Sequence, residues 1–161
     1  MAGLAFNGLT LFLHWPTLVD ASARIGALHF ALHLVIFTAG LLMWMPVLNP
    51  DPRQRLSPIG QCIYLFMMSI VPTVPGGWLV FAEQVVYRHY DVPQRLWGID
   101  ALIDQQAAGL IMKLAGGFFL WAVIVAIFAR WAAAEGRADE ELRRVQAQAR
   151  ARARATAADL A

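Results

Sequence analysis

The residues best suited to chemistry in this chain are two histidines one helical turn apart, His29 and His33, here called the histidine pair. On a helix, their i,i+4 spacing places both imidazoles on one face. Imidazole binds copper in either oxidation state, and a carboxylate such as that of Asp104 binds the metal or orients an imidazole. Further candidate ligands are an imidazole, a carboxylate and a thioether, namely His14, Glu83 and Met112. These six residues predict a metal site, with copper as the metal.

Two other interpretations of the same polar residues remain open. In the first, the histidine pair only fixes the packing of the helices. It would hydrogen-bond to polar residues of other segments, which are Glu83, Asp104, Gln105 and Gln106. In the second, His14 and one member of the pair are the axial ligands of a haem b, as in a membrane electron-transfer subunit.

The composition predicts that a membrane surrounds these residues. Of the 161 residues, 59% are hydrophobic and 15% charged, whereas an ordinary soluble domain is about 45–50% apolar and about 25% charged. A membrane-spanning helix needs about 20 mostly apolar residues. Three segments meet this requirement, at residues 25–48, 58–86 and 100–131. We therefore predict an all-α integral membrane protein, a polytopic bundle of three long transmembrane helices plus a shorter N-terminal helix.

The N-terminal segment, residues 4–19, is apolar but short. A truncated span, a re-entrant piece and an interfacial helix all remain open for it. A cleavable signal peptide is a further alternative, because residues 21–23 are small. Against cleavage, no Lys or Arg precedes the apolar run, and His14 and Pro16 interrupt it.

The distribution of Lys and Arg predicts the orientation. Two of these residues lie in the 49–57 loop and seven from Arg130 onward, against three on the opposite side, which are Arg24, Arg88 and Arg95. The 49–57 loop and the C-terminus are thus predicted to be cytoplasmic, with the candidate ligands toward the outer face. We divide the chain into a transmembrane bundle, residues 1–133, and a basic tail, residues 134–161, helical or partly disordered.

Two features of the spans carry further predictions. The second span holds Pro72 and Pro75 near its middle, so it should kink or unwind there. Lys113 lies deep in the third span, where an ionisable group is costly. It would pair with Glu83 or Asp104, or line a wet cavity.

The sequence also argues against several classes of protein. The lone Cys62 excludes an internal disulfide and a multi-cysteine zinc site. The net charge of +2 gives no indication of nucleic-acid binding, and the predicted environment is the lipid bilayer. No nucleophile–base arrangement or phosphate-binding loop stands out, so we do not predict an enzyme.

Several short motifs, taken in order along residues 8–132, resemble the CtaG family. Around the first long span the shared residues are His14-Trp15-Pro16, Leu28-His29, His33, Ala39-Gly40-Leu41-Leu42, Trp44 and Pro46-Val47-Leu48. Further along they are Arg55-Leu56-Ser57-Pro58, Tyr64-Leu65, Phe81-Ala82, Tyr87, Tyr90, Asp104-Gln105-Gln106, Gly109, Ile111-Met112 and Gly116-Gly117. The chain departs from the family pattern at Leu32, where members usually carry a glutamate, and at Lys113, where they usually carry an aromatic residue.

The resemblance implies a polytopic assembly factor for caa-type cytochrome c oxidase in the bacterial cytoplasmic membrane. Such a factor would handle copper on the outer side, with oxidase subunits or another assembly factor as partners and a homo-oligomer as a further option. Most members have additional spans upstream, so the chain is similar to the C-terminal half of the family layout. A paralogue with a changed role, a partner chain that supplies the other half, and a structural membrane chaperone without metal are the alternatives.

Overall fold

The chain folds into helices joined by short turns and one longer loop. The structure, a computed structural model, describes residues 2–159, without the side chains of Leu96 and of residues 153–159. The helices are α1 (Ala2–Leu13), α2 (Pro16–Arg24), α3 (Gly26–Leu48), α4 (Pro58–Ile70), α5 (Thr73–Val80) and α6 (Ala101–Asp159). The described residues contain no strand, which confirms the all-α prediction.

Three helical segments are long and apolar enough to cross a membrane: α3, α4 with α5, and the first part of α6. The prediction of three long spans is therefore confirmed. The second span ends at Val80, six residues before the predicted 86. The amide of Phe81 still donates to the Gly77 carbonyl, but the Ala82 carbonyl accepts a side-chain hydrogen bond from Gln106 instead. The prediction that Glu83 lies inside this span is wrong, since Glu83 is exposed in the loop that follows.

The predicted kink in the second span is confirmed as the break between α4 and α5. Pro75 has no N–H, so the Val71 carbonyl loses the donor that a continuous helix would provide. It accepts instead from the amide of Val74, at 3.0 Å, in a tighter turn. The Thr73 hydroxyl donates to the Ser69 carbonyl at 3.2 Å. The carbonyls of Ser69 and Val71 at the break thus both have donors within the chain, as a membrane interior favours.

The N-terminal segment forms two helices rather than one. It breaks at His14 and Trp15, and Pro16 begins α2, a position where its missing N–H costs nothing. With 12 residues, α1 is about 18 Å long, short of the hydrocarbon thickness of about 30 Å. Both helices pack on α3, and Gly3 lets α1 approach Tyr64 of α4 closely.

The core lies where α3, α4 and α6 meet. Val47, Leu65 and Ile124 form a buried cluster, and Leu65 is fully buried. Trp44 packs edge-on against Phe119 of α6, with ring centroids 6.0 Å apart. Elsewhere α5 lies directly on α6. α4 and α5 therefore pack on α6, whereas α1 and α2 pack on α3.

The bundle has two distinct ends. We call the end at which α5 stops and α6 starts the loop end, because residues 81–100 cover it, and the opposite end the tail end. From the tail end α6 continues without interruption through residue 134 to Asp159. The described part of the predicted tail is therefore helical, while residues 160–161 and the Arg154 side chain lie outside the described residues.

Candidate metal site at the loop end

A cavity of about 410 Å³ opens at the loop end between α6 and the junction of α1 with α2. His14 lines it from the junction, and Asp104 and Met112 line it from α6. Tyr87 and Tyr90 complete the wall from the loop. We call this space the loop-end cavity. It brings an imidazole, a carboxylate and a thioether, three of the six predicted ligands, around one space.

The imidazole of His14 is held in one tautomer and orientation. Its Nδ1 lies 2.7 Å from the Thr10 carbonyl, which can only accept, so Nδ1 carries the proton and donates. The Tyr87 hydroxyl donates to the His14 carbonyl at 3.2 Å. Nε2 is therefore the nitrogen with a lone pair free for a metal. A backbone partner on the second nitrogen is the usual arrangement of metal-binding histidines.

Tyr87 is a stable donor in this arrangement. Its burial, and in second place the neighbouring Tyr90, raise the pKa of the Tyr87 phenol from 10.0 to about 12. Both causes disfavour the phenolate. The hydroxyl therefore keeps its proton, and its hydrogen bond to His14, at neutral pH.

Two glutamines of α6 fasten the loop that walls the cavity. Gln105, buried with 8% of its surface exposed, accepts from the Val86 amide at 2.7 Å and donates to the Gln84 carbonyl at 3.4 Å. Gln106 donates to the Ala82 carbonyl at 3.0 Å. Both glutamines thus bond the loop backbone and not the histidine pair.

Replacing Gln105 with leucine should loosen the loop and lower the free energy of unfolding by about 1–3 kcal/mol. The reason is that a partly buried backbone N–H, that of Val86, loses its acceptor. Thermal unfolding of the detergent-purified variant would measure the change. Gln106→Leu removes a single hydrogen bond, the one to the Ala82 carbonyl. Because a carbonyl can accept from another donor, this variant should lower the free energy of unfolding by less. Equal stability of the Gln105→Leu variant and the parent would contradict the assigned role.

The histidine pair lies apart from the cavity. The rings of His29 and His33 have centroids 4.4 Å apart, which confirms that they share a face of α3. Both side chains are exposed, and neither imidazole hydrogen-bonds to a described residue. Neither lines the loop-end cavity, so Asp104 and the pair do not form one site within the described chain.

Among the side chains that the structure describes, no three from His, Cys, Asp and Glu stand close enough to hold a metal ion. Glu83 does not line the loop-end cavity. Met112 does line it. Tyr87 and Tyr90 were missed as site residues, because a phenol carries no metal-ligand signal. Their positions in the family motifs were the signal that could have found them.

Three membrane-length helices, one of which continues without interruption beyond the span, define an integral membrane protein of the all-α class. The family model for the cytochrome c oxidase caa3 assembly factor matches residues 1–134, which is most of the chain. The chain therefore belongs to the family of caa3 oxidase assembly factors, as the motifs of the sequence predict. This membership supports a role in assembling cytochrome c oxidase within a membrane. The family is not typically catalytic. No curated protein and no solved structure matches the chain.

Proposed function

We propose that this assembly factor holds copper in the loop-end cavity as cargo for a haem–copper oxidase. The observation that carries the proposal is that His14, Asp104 and Met112 line one cavity. Imidazole suits both oxidation states of copper, and the thioether of Met112 suits the reduced ion. His14 would bind through Nε2, since its Nδ1–H is committed to Thr10.

The carboxylate of Asp104 has a different task in this proposal. It would offset the positive charge of the ion, either as a ligand or by accepting a hydrogen bond from a coordinated water. Asp104 is exposed and forms no ion pair with any described residue, so the carboxylate is free for this task. The exposed histidine pair is the second candidate site. It lies near the N-terminus of α3, which is at the loop end.

The proposal also assigns the loop end to the outer side of a bacterial cytoplasmic membrane, with the tail in the cytoplasm. The 49–57 loop, which carries Arg53 and Arg55, lies at the tail end, and so does Arg130. The arginines of the two predicted cytoplasmic segments therefore share one side of the bundle, as the positive-inside rule expects. At the loop end, Arg95 is partly neutralised by an ion pair with Asp91 at 2.9 Å.

Copper binding can be tested by loading the detergent-purified protein with Cu(I) and titrating it against a competing chelator. The parent should bind about one equivalent. The variants His14→Ala and Met112→Leu should each weaken binding at least tenfold, because each removes a ligand atom. His89→Ala is a matched control, since this loop histidine does not line the loop-end cavity. It should leave the affinity unchanged.

The other outcomes separate the rival functions. Loss of copper only in a His29→Ala/His33→Ala variant would move the site to the histidine pair and sink the cavity assignment. A parent that binds no copper would contradict copper handling and favour a structural assembly partner. Absorption bands of haem b in the purified parent would favour the electron-transfer alternative.

A further inference from the structure

Lys113 is an ammonium group placed near the middle of the membrane. It is the single lysine of the chain and lies on the membrane-length part of α6. By helical rise it is about 18 Å from the start of α6, just beyond the middle of a hydrocarbon layer about 30 Å thick. Its Nζ donates a hydrogen bond to the Thr73 hydroxyl at the α4–α5 break. The interpretation that Lys113 pairs with Glu83 or Asp104 is therefore wrong, whereas it does line a cavity.

The hydrogen bond to Thr73 leaves the ammonium incompletely satisfied. An ammonium has three N–H donors, and Thr73 accepts from one of them. The Thr73 hydroxyl in turn donates a hydrogen bond to the Ser69 carbonyl. Lys113 forms no ion pair with any described residue, and it is exposed. An exposed, unpaired charge at this depth is costly, so membrane proteins pair such groups.

We propose that Lys113 is the docking point for a membrane-spanning helix of a partner protein that carries an Asp or Glu at mid-membrane depth. The carboxylate would accept the remaining N–H groups of the ammonium and neutralise its charge. The proposal does not depend on copper binding.

Small residues lie beside Lys113 on the same helix. Gly116 and Gly117 follow on the next turn of α6, and a Cβ on either would meet nothing within 4 Å. A cavity of about 250 Å³ between α1, α3, α4 and α6 reaches Lys113 and Thr73, so one side of Lys113 faces this cleft. Small residues beside a polar one are the usual features of helix association in membranes, since they let backbones approach and a polar contact form.

A second copy of these spans does not fit as the partner. The spans Gly26–Leu48 and Pro58–Val80 contain no Asp or Glu. The membrane part of α6 contains one acid, Asp104, about 13 Å nearer the loop end than Lys113 by helical rise. A second copy in the same orientation would therefore offer no carboxylate at the depth of Lys113.

The test uses designed transmembrane peptides in phosphatidylcholine vesicles. The peptides are 24-residue Leu/Ala helices with Glu, Gln or Leu at the centre and a fluorescent acceptor at one end. The parent chain carries a donor at a cysteine introduced by Ala138→Cys in a Cys62→Ser background. Energy transfer should show the Glu peptide binding roughly tenfold more tightly than the Leu peptide, with the Gln peptide between them.

Variants of the cation assign the effect to Lys113. Lys113→Met, which keeps length and apolar volume, should abolish the preference for Glu, and Lys113→Arg should retain it. Arg130→Met, which removes a cation near the tail end, should leave the preference intact. If the parent binds the three peptides equally, that result alone overturns the proposal. A Glu preference that persists in Lys113→Met, or energy transfer between two copies of the chain that Lys113→Met abolishes, would also overturn it.

Discussion

Valine in place of Gly109 is expected to force α5 away from α6 and to lower the free energy of unfolding by about 3 kcal/mol. A Cβ at position 109 would lie 2.8 Å from the Gly76 carbonyl oxygen and 2.9 Å from the Leu79 Cβ. Both distances are shorter than real Cβ atoms show, and one of the opposing atoms belongs to the backbone, which cannot rotate away. The two helices can then relieve the clash only by separating.

The change can be followed by thermal unfolding in detergent, with tryptophan fluorescence as the signal. Gly77→Ala is the matched control, because it lies on the same helix as Gly76 and its Cβ would meet nothing within 4 Å. That variant should be as stable as the parent or slightly more stable, since alanine favours a helix by about 1 kcal/mol over glycine. An unchanged unfolding temperature in Gly109→Val would disprove the close helix contact.

Alanine in place of Leu65 is expected to lower the free energy of unfolding by about 2–5 kcal/mol. Leu65 has none of its surface exposed, and it packs between Val47 of α3 and Ile124 of α6. Truncation would leave a cavity at the point where three helices meet. Dispersion contacts carry most of the packing energy in a membrane, because burial there gains little from the hydrophobic effect.

Ile63→Ala supplies the comparison for this variant. Ile63 lies on the same helix, but 59% of its surface is exposed, so its truncation leaves no cavity in the core. Unfolding in a series of sodium dodecyl sulfate concentrations would rank the two variants. Equal losses for Leu65→Ala and Ile63→Ala would show that the bundle is not centred on Leu65.

The spans and their kink could be predicted from the sequence, because each depends on a local property. An apolar run of about 20 residues sets a span, and a proline such as Pro75 removes one hydrogen bond wherever it sits. The end of the second span was predicted too late, since residues 81–86 remain largely apolar. Their backbone leaves the helix because Gln105 and Gln106, more than 18 residues further along the chain, offer it other hydrogen bonds.

The candidate site was only partly predictable for a related reason. The sequence indicates which residues can bind a metal and how deep each lies, but not which helix faces which. Placing α1 and α2 on α3 brings His14 toward Asp104 and leaves the histidine pair outside the cavity. Met112 lies about 12 Å deeper than Asp104 by helical rise, and the loop-end cavity extends along α6 to both residues.

Because α6 is uninterrupted, a tilt of its membrane-embedded part also displaces its far end. About 44 Å of it extends beyond Arg130 by helical rise, without a proline or a break. A tilt of about 10° in the membrane-embedded part would displace the far end sideways by about 8 Å on this geometry. A partner that shifts the bundle within the bilayer would therefore move the far end of α6, at a distance from the loop-end cavity.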